Sequence, residues 1–425
     1  MVRLELTKLW RQNKLIPCIV LLLILMVGSL EASTFMQGQR LNTAEETSEQ
    51  WIKLLKKTIQ PKDPKQWLPK DKSAMQLLEK QLVDLKRRDG MALRKDAVEQ
   101  FTQISPMISY SGNVIVDSNL HSGEVEATRK ELLYLQRHNL ATMLPLTIRT
   151  NPQTALTNTV SVDQRNVFQE LTQRFYVRGW EQIWLWSTVG GLLVALAVIN
   201  MFLGDILANE YDSQSDHTAW LRLHNYGQAK MVLTKLGVHF VLSCLMLFTA
   251  LGIFLVYAWL RNGLGDLRYP VQAWALGKKV ISPYSWPTAT EEANYFAPLQ
   301  ITFIPLARYL GLFGFFGFAI LFLNSTLTLL INRLVKIRLL ALLIMVVLPV
   351  IGLVLPASIY NPFTYLNSDW VVSNYLGYFL RQRSSVYPWI IGGIGIIAVG
   401  CLLLTIMPLR RKLGGLKLAK SSGAV

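Results

Sequence analysis

The chain has 425 residues, of which 51% are hydrophobic and only 16% are charged, and its formal net charge is +16. Soluble domains carry about 25% charged residues, and here the apolar residues are concentrated in long blocks. This composition excludes a conventional soluble enzyme and indicates a polytopic membrane protein.

Six segments are apolar enough to cross a hydrocarbon core of about 30 Å, which requires about 20 mostly apolar residues. The first of them follows a basic N-terminus and therefore resembles a secretory signal. The sequence Leu30-Glu31-Ala32 makes a poor cleavage site, however, which favours a retained signal anchor. The predicted spans are 15–30, 183–207, 231–260, 301–323, 339–358 and 389–407.

The distribution of basic residues indicates the orientation of the predicted spans. Basic residues exceed acidic ones by three in residues 1–14, by three in the link 324–338 and by five in the tail 409–425. Because cytoplasmic loops carry an excess of Lys and Arg, both termini are predicted to be cytoplasmic. The net charge thus reflects topology, and nothing in it indicates a nucleic-acid partner.

Residues 31–182 form a large hydrophilic insertion between the first two spans, long enough for a small domain of its own. Its beginning, through Pro61-Lys62-Asp63-Pro64, is typical of a linker. A capping box of Ser73 and Gln76 before a leucine repeat predicts a helix near 73–88. Further helices are predicted over 122–140 and 162–180, with short strands within 101–117. The fold class is therefore an all-α polytopic membrane protein with an α-rich, or α+β, extracytoplasmic domain.

The sequence contains no recognisable catalytic or metal-binding motif. Cys18, Cys244 and Cys401 all lie inside predicted spans, and no cluster of Cys and His has zinc-binding spacing. The Gly-x-Ser-x-Gly and His-Glu-x-x-His motifs of hydrolases are also missing. Residues 414–421 approximate a phosphate-binding loop but have no strand and helix around them. We therefore predict a non-enzyme that holds no metal or cofactor, with any ATP bound by another chain.

Several polar residues fall within or next to the predicted spans. Asn200, Asp205, Asn324 and Thr328 are candidates to line a pathway, or to form interhelical hydrogen bonds worth about 1 kcal/mol each. His239 is the single histidine inside a predicted span. An ionisable residue at that depth is a functional candidate, although packing against a neighbouring helix explains it equally well.

The segment 208–230 connects the second and third predicted spans and is polar with scattered acids. Residues 218–223 can form a short helix that lies along the inner membrane face, and Asn225-Tyr226-Gly227 predicts a turn after it. Such a helix can dock into the groove of a partner protein. The alternative is a plain connector.

This layout resembles the type-2 ABC export permease family, the membrane subunits that pair with a separate ATPase. Glu210-Tyr211-Asp212 matches the acidic start of the family signature, and His217-Thr218 stands where Gly-Thr is usual. Residues 221–223 match its apolar run, and Lys235 its lysine at the start of the third span. The phrase at 360–366, after the fifth span, also resembles these permeases, as does the amphipathic stretch within residues 1–14.

The resemblance implies a transporter of two permease subunits, identical or homologous, and two cytoplasmic ATPases that hold ATP and Mg²⁺. It implies a multi-pass protein of a bacterial plasma membrane, in contact with lipid, that exports a drug, a lipid or an antimicrobial peptide such as a bacteriocin. Self-immunity is one such role. The residues that it implies for coupling to the ATPase are Glu210, Thr218, Trp220, Leu221, Arg222 and Lys235.

Two other function classes remain open at this stage. A four-span mechanotransmission or lipoprotein-release permease also carries a large outer domain between its first two spans. A membrane sensor could bind a peptide outside without transporting it. A membrane-embedded lipid enzyme would need a catalytic constellation, and the sequence contains none.

Overall fold

The computed structural model describes residues 13–59, 69–103, 122–143, 174–204, 228–274, 301–335, 337–354, 360–379 and 385–407. These described residues are mostly helical, at 81%. The N-terminal part contains α1 (Leu15–Ile59), α2 (Pro69–Lys86), α3 (Gly90–Gln103), α4 (Ser122–Arg137), α5 (Gly179–Thr188) and α6 (Gly191–Leu203). The remainder contains α7 (Gln228–Asn262), β1 (Pro270–Trp274), β2 (Ile301–Pro305), α8 (Leu306–Leu334), α9 (Arg338–Val354), a 3-10 helix (Pro362–Leu366), α10 (Ser368–Val372), α11 (Tyr375–Phe379) and α12 (Tyr387–Ile406).

Four helices are long and apolar enough to cross a membrane. They are α1 over Leu15–Gln50, α7 over Ala229–Asn262, α8 and α12. The helices α5 and α6 meet at an angle of 85° and make a fifth candidate if the bent pair is one span. The helix α9 is equally apolar but has 17 residues. The protein is therefore membrane-embedded, and the count of six spans stays a prediction.

The first helix is much longer than the predicted span. It does not end at Leu30 but continues to Ile59, so the interpretation of residues 31–59 as part of a linker is wrong. Those residues contain one glycine, Gly38, and no proline, and they are rich in Glu, Gln, Lys and Leu, which favour helix. The helix ends two residues before Pro61, where proline disfavours its continuation.

The second predicted span is interrupted by a sharp bend. The expectation of one helix over 183–207 is wrong, because α5 ends at Thr188 and α6 begins at Gly191. Gly190 has φ of +77°, a left-handed conformation that glycine adopts without strain. At Gly191 a Cβ would lie 2.5 Å from the Trp186 ring, so a larger residue would displace that ring.

The second span is also preceded by extended chain. Residues 174–177 are not helical, although a helix is predicted over 162–180. The amides of Gly179 and Trp180 donate to the carbonyls of Gly263 and Leu264, which holds this segment against the end of α7. At the start of the helix α5, the Arg178 amide donates to the Glu181 carboxylate at 3.3 Å.

A pair of antiparallel strands replaces the beginning of the fourth predicted span. Strand β1 pairs antiparallel with β2, from Pro270 opposite Pro305 to Trp274 opposite Ile301. The expected helix start at 301 is therefore wrong, because a short apolar run with β-branched residues before a proline suits a strand equally well. The helix α8 begins at Leu306 and extends to Leu334, beyond the predicted end at 323.

The helix α8 is at the centre of the bundle and packs against α7 and α12. It runs antiparallel to α7, with Phe322 against Phe240 and Phe318 against Phe248. The buried core on α6, α7 and α8 includes Ile199, Leu236, Leu242, Phe316, Ile320 and Leu329. We call the end of the bundle that carries α2 to α4 and the strands β1 and β2 the insertion end. The end where α6 terminates and α7 begins is the link end.

The helices of the insertion pack on one another and on the bundle. Arg94 of α3 donates to the carbonyls of Leu135 and Leu140 at 3.0 and 2.6 Å, which ties α3 to the end of α4. Ala127 of α4 packs with Trp274 of β1 and with Tyr375. The helices predicted over 73–88 and 122–140 correspond to α2 and α4, which begin and end within four residues of those limits. Of the strands expected within 101–117, residues 101–103 belong to α3 and the others lie outside the described residues.

Candidate functional site in the membrane bundle

A group of buried polar side chains lies between α6, α7 and α8 towards the link end. Each member is less than 10% exposed, although the surrounding helices are strongly apolar. Burial of polar groups at intramembrane depth is costly, and such groups mark functional positions or interhelical bonds. We call this group the polar seam, and its members are Asn200, Lys235, His239, Ser243, Asn324, Ser325, Thr328 and Asn332.

Two predicted pathway residues bond directly to each other in the seam. Asn200 Nδ2 donates to Asn324 Oδ1 at 3.0 Å, and Asn324 Nδ2 donates to Asn200 Oδ1 at 2.8 Å. The two amides thus satisfy each other across the α6–α8 interface. Thr328, the third candidate, donates to the carbonyl of Asn324 one turn earlier.

Asn332 holds the end of α6. Its Nδ2 donates to the carbonyl of Gly204 at 2.5 Å, which satisfies one of the carbonyls that a helix leaves free at its C-terminus. Its Oδ1 is buried and has no hydrogen-bond donor in the described part of the chain. The link between α6 and α7 therefore begins directly beside the seam.

His239 makes one defined hydrogen bond in the seam. Its Nδ1 lies 2.9 Å from Ser325 Oγ, and that hydroxyl already donates to the Leu321 carbonyl at 2.8 Å. Because a hydroxyl has one hydrogen, Nδ1 must be the donor to Ser325. Since full burial disfavours the charged ring, the side chain is assigned as the neutral tautomer with hydrogen on Nδ1. Nε2 is then a lone-pair acceptor, buried without a donor among the described residues.

Lys235 is the one predicted coupling residue that the structure describes. It is fully buried on α7, four residues before His239 and therefore on the same helix face. The other predicted coupling residues, Glu210, Thr218, Trp220, Leu221 and Arg222, lie outside the described residues, as does the pathway candidate Asp205.

Arg333 closes the link end of the bundle and was not predicted as a site residue. Its guanidinium donates to the carbonyls of Leu404, Thr405 and Met407 at the C-terminus of α12. A cation is favourable there because a helix C-terminus carries free carbonyls and partial negative charge. In the sequence this arginine was interpretable only as a marker of topology.

A second polar cluster lies at the insertion end. Arg174 contacts both oxygens of Glu131, at 2.7 and 2.5 Å, and the Tyr269 hydroxyl donates to the same carboxylate at 3.2 Å. Burial raises the pKa of Tyr269 well above its usual value, and the nearby Glu131 charge raises it further. The pair joins α4 of the insertion to the chain segment that enters the bent span.

The same region contains a short series of hydroxyl groups. The Tyr309 hydroxyl lies 2.7 Å from Asp369 Oδ1 and 2.5 Å from Ser187 Oγ, and Ser187 Oγ lies 2.6 Å from the Trp184 carbonyl. Burial raises the pKa of Asp369 to about 6, although the Tyr309 hydrogen bond opposes the shift. Neither Asp369 nor Tyr309 was predicted, because in sequence Asp369 resembles any solvated loop acid.

A small apolar cavity lies at the bend between α5 and α6. Its volume is about 80 Å³, and its single polar neighbour is Gln182. With its amide oriented to satisfy its neighbours, Gln182 donates to the Tyr176 carbonyl and accepts from Leu30 and Ser29. The other lining residues are Met26, Ile183, Trp186, Gly191, Leu192, Ala195, Leu247, Leu251, Phe254 and Phe313.

Comparisons with known proteins give no further assignment. No protein-family model, no curated protein and no solved structure matches this chain. Within the described ranges, no three His, Cys, Asp or Glu side chains come together as metal ligands. The three cysteines, all of them described, are free thiols.

Proposed function

We propose that this chain is the permease subunit of an ATP-driven exporter that moves hydrophobic or amphipathic cargo out of the cell or membrane. The observation that carries the proposal is the polar seam, which is buried among apolar helices and lies at both ends of the 205–227 link. Asn332 bonds to the last residue before this link, and Lys235 follows it on α7. A displacement of the link would therefore act directly on the seam.

The seam is suited to two arrangements of its helices. His239 Nε2 and Asn332 Oδ1 are buried acceptors with no donor in the described residues. Buried polar groups are normally paired, so acceptors of this kind are expected to gain donors in another state. An ATPase that binds ATP more tightly in one of two states would shift the population between them.

The ATPase, with its ATP and Mg²⁺, would be a separate cytoplasmic chain that contacts the link. Glu210, Thr218, Trp220, Leu221 and Arg222 would form the contact surface, and Lys235 would connect it to the seam. A second permease copy or a homologous permease would complete the transporter in a bacterial plasma membrane. Drugs, lipids and antimicrobial peptides are the proposed cargo, and export of a peptide could give self-immunity.

Purification from the native membrane in mild detergent tests this proposal directly. We expect a soluble ATPase to remain bound in a stoichiometric amount and to be identified by mass spectrometry. An intact, folded chain that carries no ATPase would contradict the proposal and favour a sensor.

A double substitution tests the coupling role of the link. We expect Glu210→Ala with Leu221→Asp to abolish the stimulation of ATP hydrolysis by cargo, because it removes a charge and an apolar contact from the proposed ATPase surface. The matched control is Asp266→Ala with Leu267→Asp, which makes the same chemical changes at the insertion end, where both residues are partly exposed. Unchanged transport in the first variant would exclude the coupling role.

One observation favours a mechanotransmission permease as the second candidate. The continuous helix α1 joins a membrane span to the insertion without a break. Such a helix can pass movement across the membrane without any cargo passing through the bundle. Reconstituted vesicles separate the two candidates, since only an exporter would accumulate labelled cargo in their lumen when ATP is supplied.

A further inference from the structure

Three oxygen-to-oxygen contacts in series connect Asp369 to the Trp184 carbonyl. They run from Asp369 Oδ1 to the Tyr309 hydroxyl, from that hydroxyl to Ser187 Oγ, and from Ser187 Oγ to the carbonyl. Their lengths are 2.7, 2.5 and 2.6 Å, all within the range of O–H···O hydrogen bonds. Each contact therefore requires one hydrogen between its two oxygens.

A count of hydrogens decides the protonation state of this series. Tyr309 and Ser187 supply one hydroxyl hydrogen each, and the Trp184 carbonyl supplies none. With Asp369 ionised, two hydrogens must serve three contacts. One of the three contacts then has no hydrogen, although its two oxygens lie at hydrogen-bond distance from each other. A protonated Asp369 supplies the third hydrogen. Asp369 then donates to Tyr309, Tyr309 to Ser187, and Ser187 to the carbonyl.

We propose that Asp369 is a proton-binding site whose occupancy completes this series and thereby fixes α5 to α8 and α10. Ser187 lies in the last turn of α5, immediately before the 85° bend to α6. A second contact supports the same position, because Ser368 Oγ donates to the Ser187 carbonyl at 3.0 Å. Loss of the proton removes one hydrogen bond and leaves a carboxylate beside Tyr309, so the start of the bend is held less firmly.

The ionisable groups around Asp369 are consistent with this site. Tyr309 is the group that contacts it directly, and the neighbouring Arg308 of α8 is exposed. Burial raises the pKa of Tyr176, and the charges of Asp369, Glu131 and Glu181 raise it further while Arg174 opposes them. Glu181 of α5 is a further acid on an element packed against α10. The 3-10 helix, α11 and α12 also pack on α10 and contribute tyrosines but no charged residue among those described, namely Tyr365, Tyr375 and Tyr387.

The direction of the pH effect follows from the raised pKa of Asp369, which is about 6 against an ordinary value of 3.8. A carboxyl whose pKa is higher in the folded state binds its proton more tightly there than in the unfolded chain. Its contribution to stability is therefore present in acid and is lost as the pH rises through about 6. The proton-binding site thus adds a pH response that is independent of the proposed transport function.

Infrared difference spectra of the full chain in detergent, recorded between pH 5 and pH 8, test the proposal. We expect the wild type to lose a protonated-carboxyl C=O band as the pH rises. In Asp369→Asn that component should be missing, because the amide carries no titrating proton and donates to Tyr309 at every pH. The control Asp266→Asn, at a partly exposed acid of the same end, should retain the band. A band that persists unchanged in Asp369→Asn would overturn the proposal.

A second variant follows from the hydrogen count. In Ser187→Ala, Tyr309 loses its acceptor and its hydrogen becomes available to the Asp369 carboxylate, which favours the ionised form. We therefore expect the titration midpoint of the Asp369 band to fall relative to wild type, with the chain still folded. An unchanged midpoint would show that the hydroxyls are not in series, and would equally overturn the proposal.

Discussion

The Asn200–Asn324 pair is a test of what one polar residue contributes inside the bundle. Replacement of Asn200 by Leu leaves the Asn324 amide buried and unpaired, and an unsatisfied buried group costs about 1–3 kcal/mol. We expect the single variants to lower the melting temperature in detergent, and the double variant Asn200→Leu with Asn324→Leu to lower it by less than their sum. Met201→Leu, on the exposed face of α6, is the control. Additive effects would mean that the amides stabilise the bundle independently.

The Glu131–Arg174 pair should respond much more strongly than an ion pair at the surface. Loss of one partner leaves an uncompensated buried charge, at a cost of about 3–5 kcal/mol, so Glu131→Gln should destabilise the chain severely. Asp266→Asn breaks the Asp266–Arg268 pair, which is more exposed, and should cost at most about 1 kcal/mol. Thermal unfolding of both variants gives the comparison. Equal losses would mean that the buried pair is well solvated.

At the residue level, the sequence was sufficient to predict several residues of the polar seam, but not the hydrogen bonds that these residues make. Asn200, Asn324 and Thr328 stand out in sequence because polar side chains are rare in apolar spans. Their partners depend on the register between helices far apart in the chain, which no local pattern encodes. Asp369 illustrates the other limit, because the contacts that half-bury it come from α8 and α5 rather than from its neighbours in sequence.

Among the secondary-structure elements, the bend between α5 and α6 depends on two adjacent glycines. We expect Gly191→Ala to destabilise the chain, since the new Cβ would lie 2.5 Å from the Trp186 ring and 2.7 Å from the Trp186 carbonyl. Gly237→Ala on α7 is the matched control, because no atom lies within 4 Å of its added Cβ. It should stabilise the helix by about 1 kcal/mol, since alanine favours helix. Melting temperatures that change in the same direction would exclude a structural role for the bend.

The apolar content of α7, α8 and α12 was sufficient to predict that these helices exist. It was insufficient to predict where elements end. The helix α1 continues to Ile59 because helix formation does not stop at the edge of an apolar segment, and β2 occupies the place of a predicted helix start because its residues suit both structures. The bend at Gly190 was missed because glycine is also common in straight membrane helices.

For the whole molecule, the number of spans decides on which side of the membrane the insertion and the C-terminal tail lie. Six spans place five crossings between them, so Arg87→Cys in the insertion and Lys420→Cys in the tail should lie on opposite sides. We expect an impermeant thiol reagent to label the first in intact cells and the second only after permeabilisation. The wild-type chain is the control, since its own cysteines are buried or half-buried. Labelling of both from the same side would indicate an even number of crossings.

The length of α1 has a mechanical consequence. Its 45 residues correspond to roughly 67 Å at 1.5 Å per residue, whereas the hydrocarbon core is about 30 Å thick. Roughly half of the helix therefore stands clear of that core as one stiff rod. If the helix tilted by about 10° within the membrane, the far end of this projecting half would be displaced sideways by roughly 6 Å. Because the helix is continuous, a small change of its tilt within the membrane would reach the insertion as a displacement that grows with the projecting length.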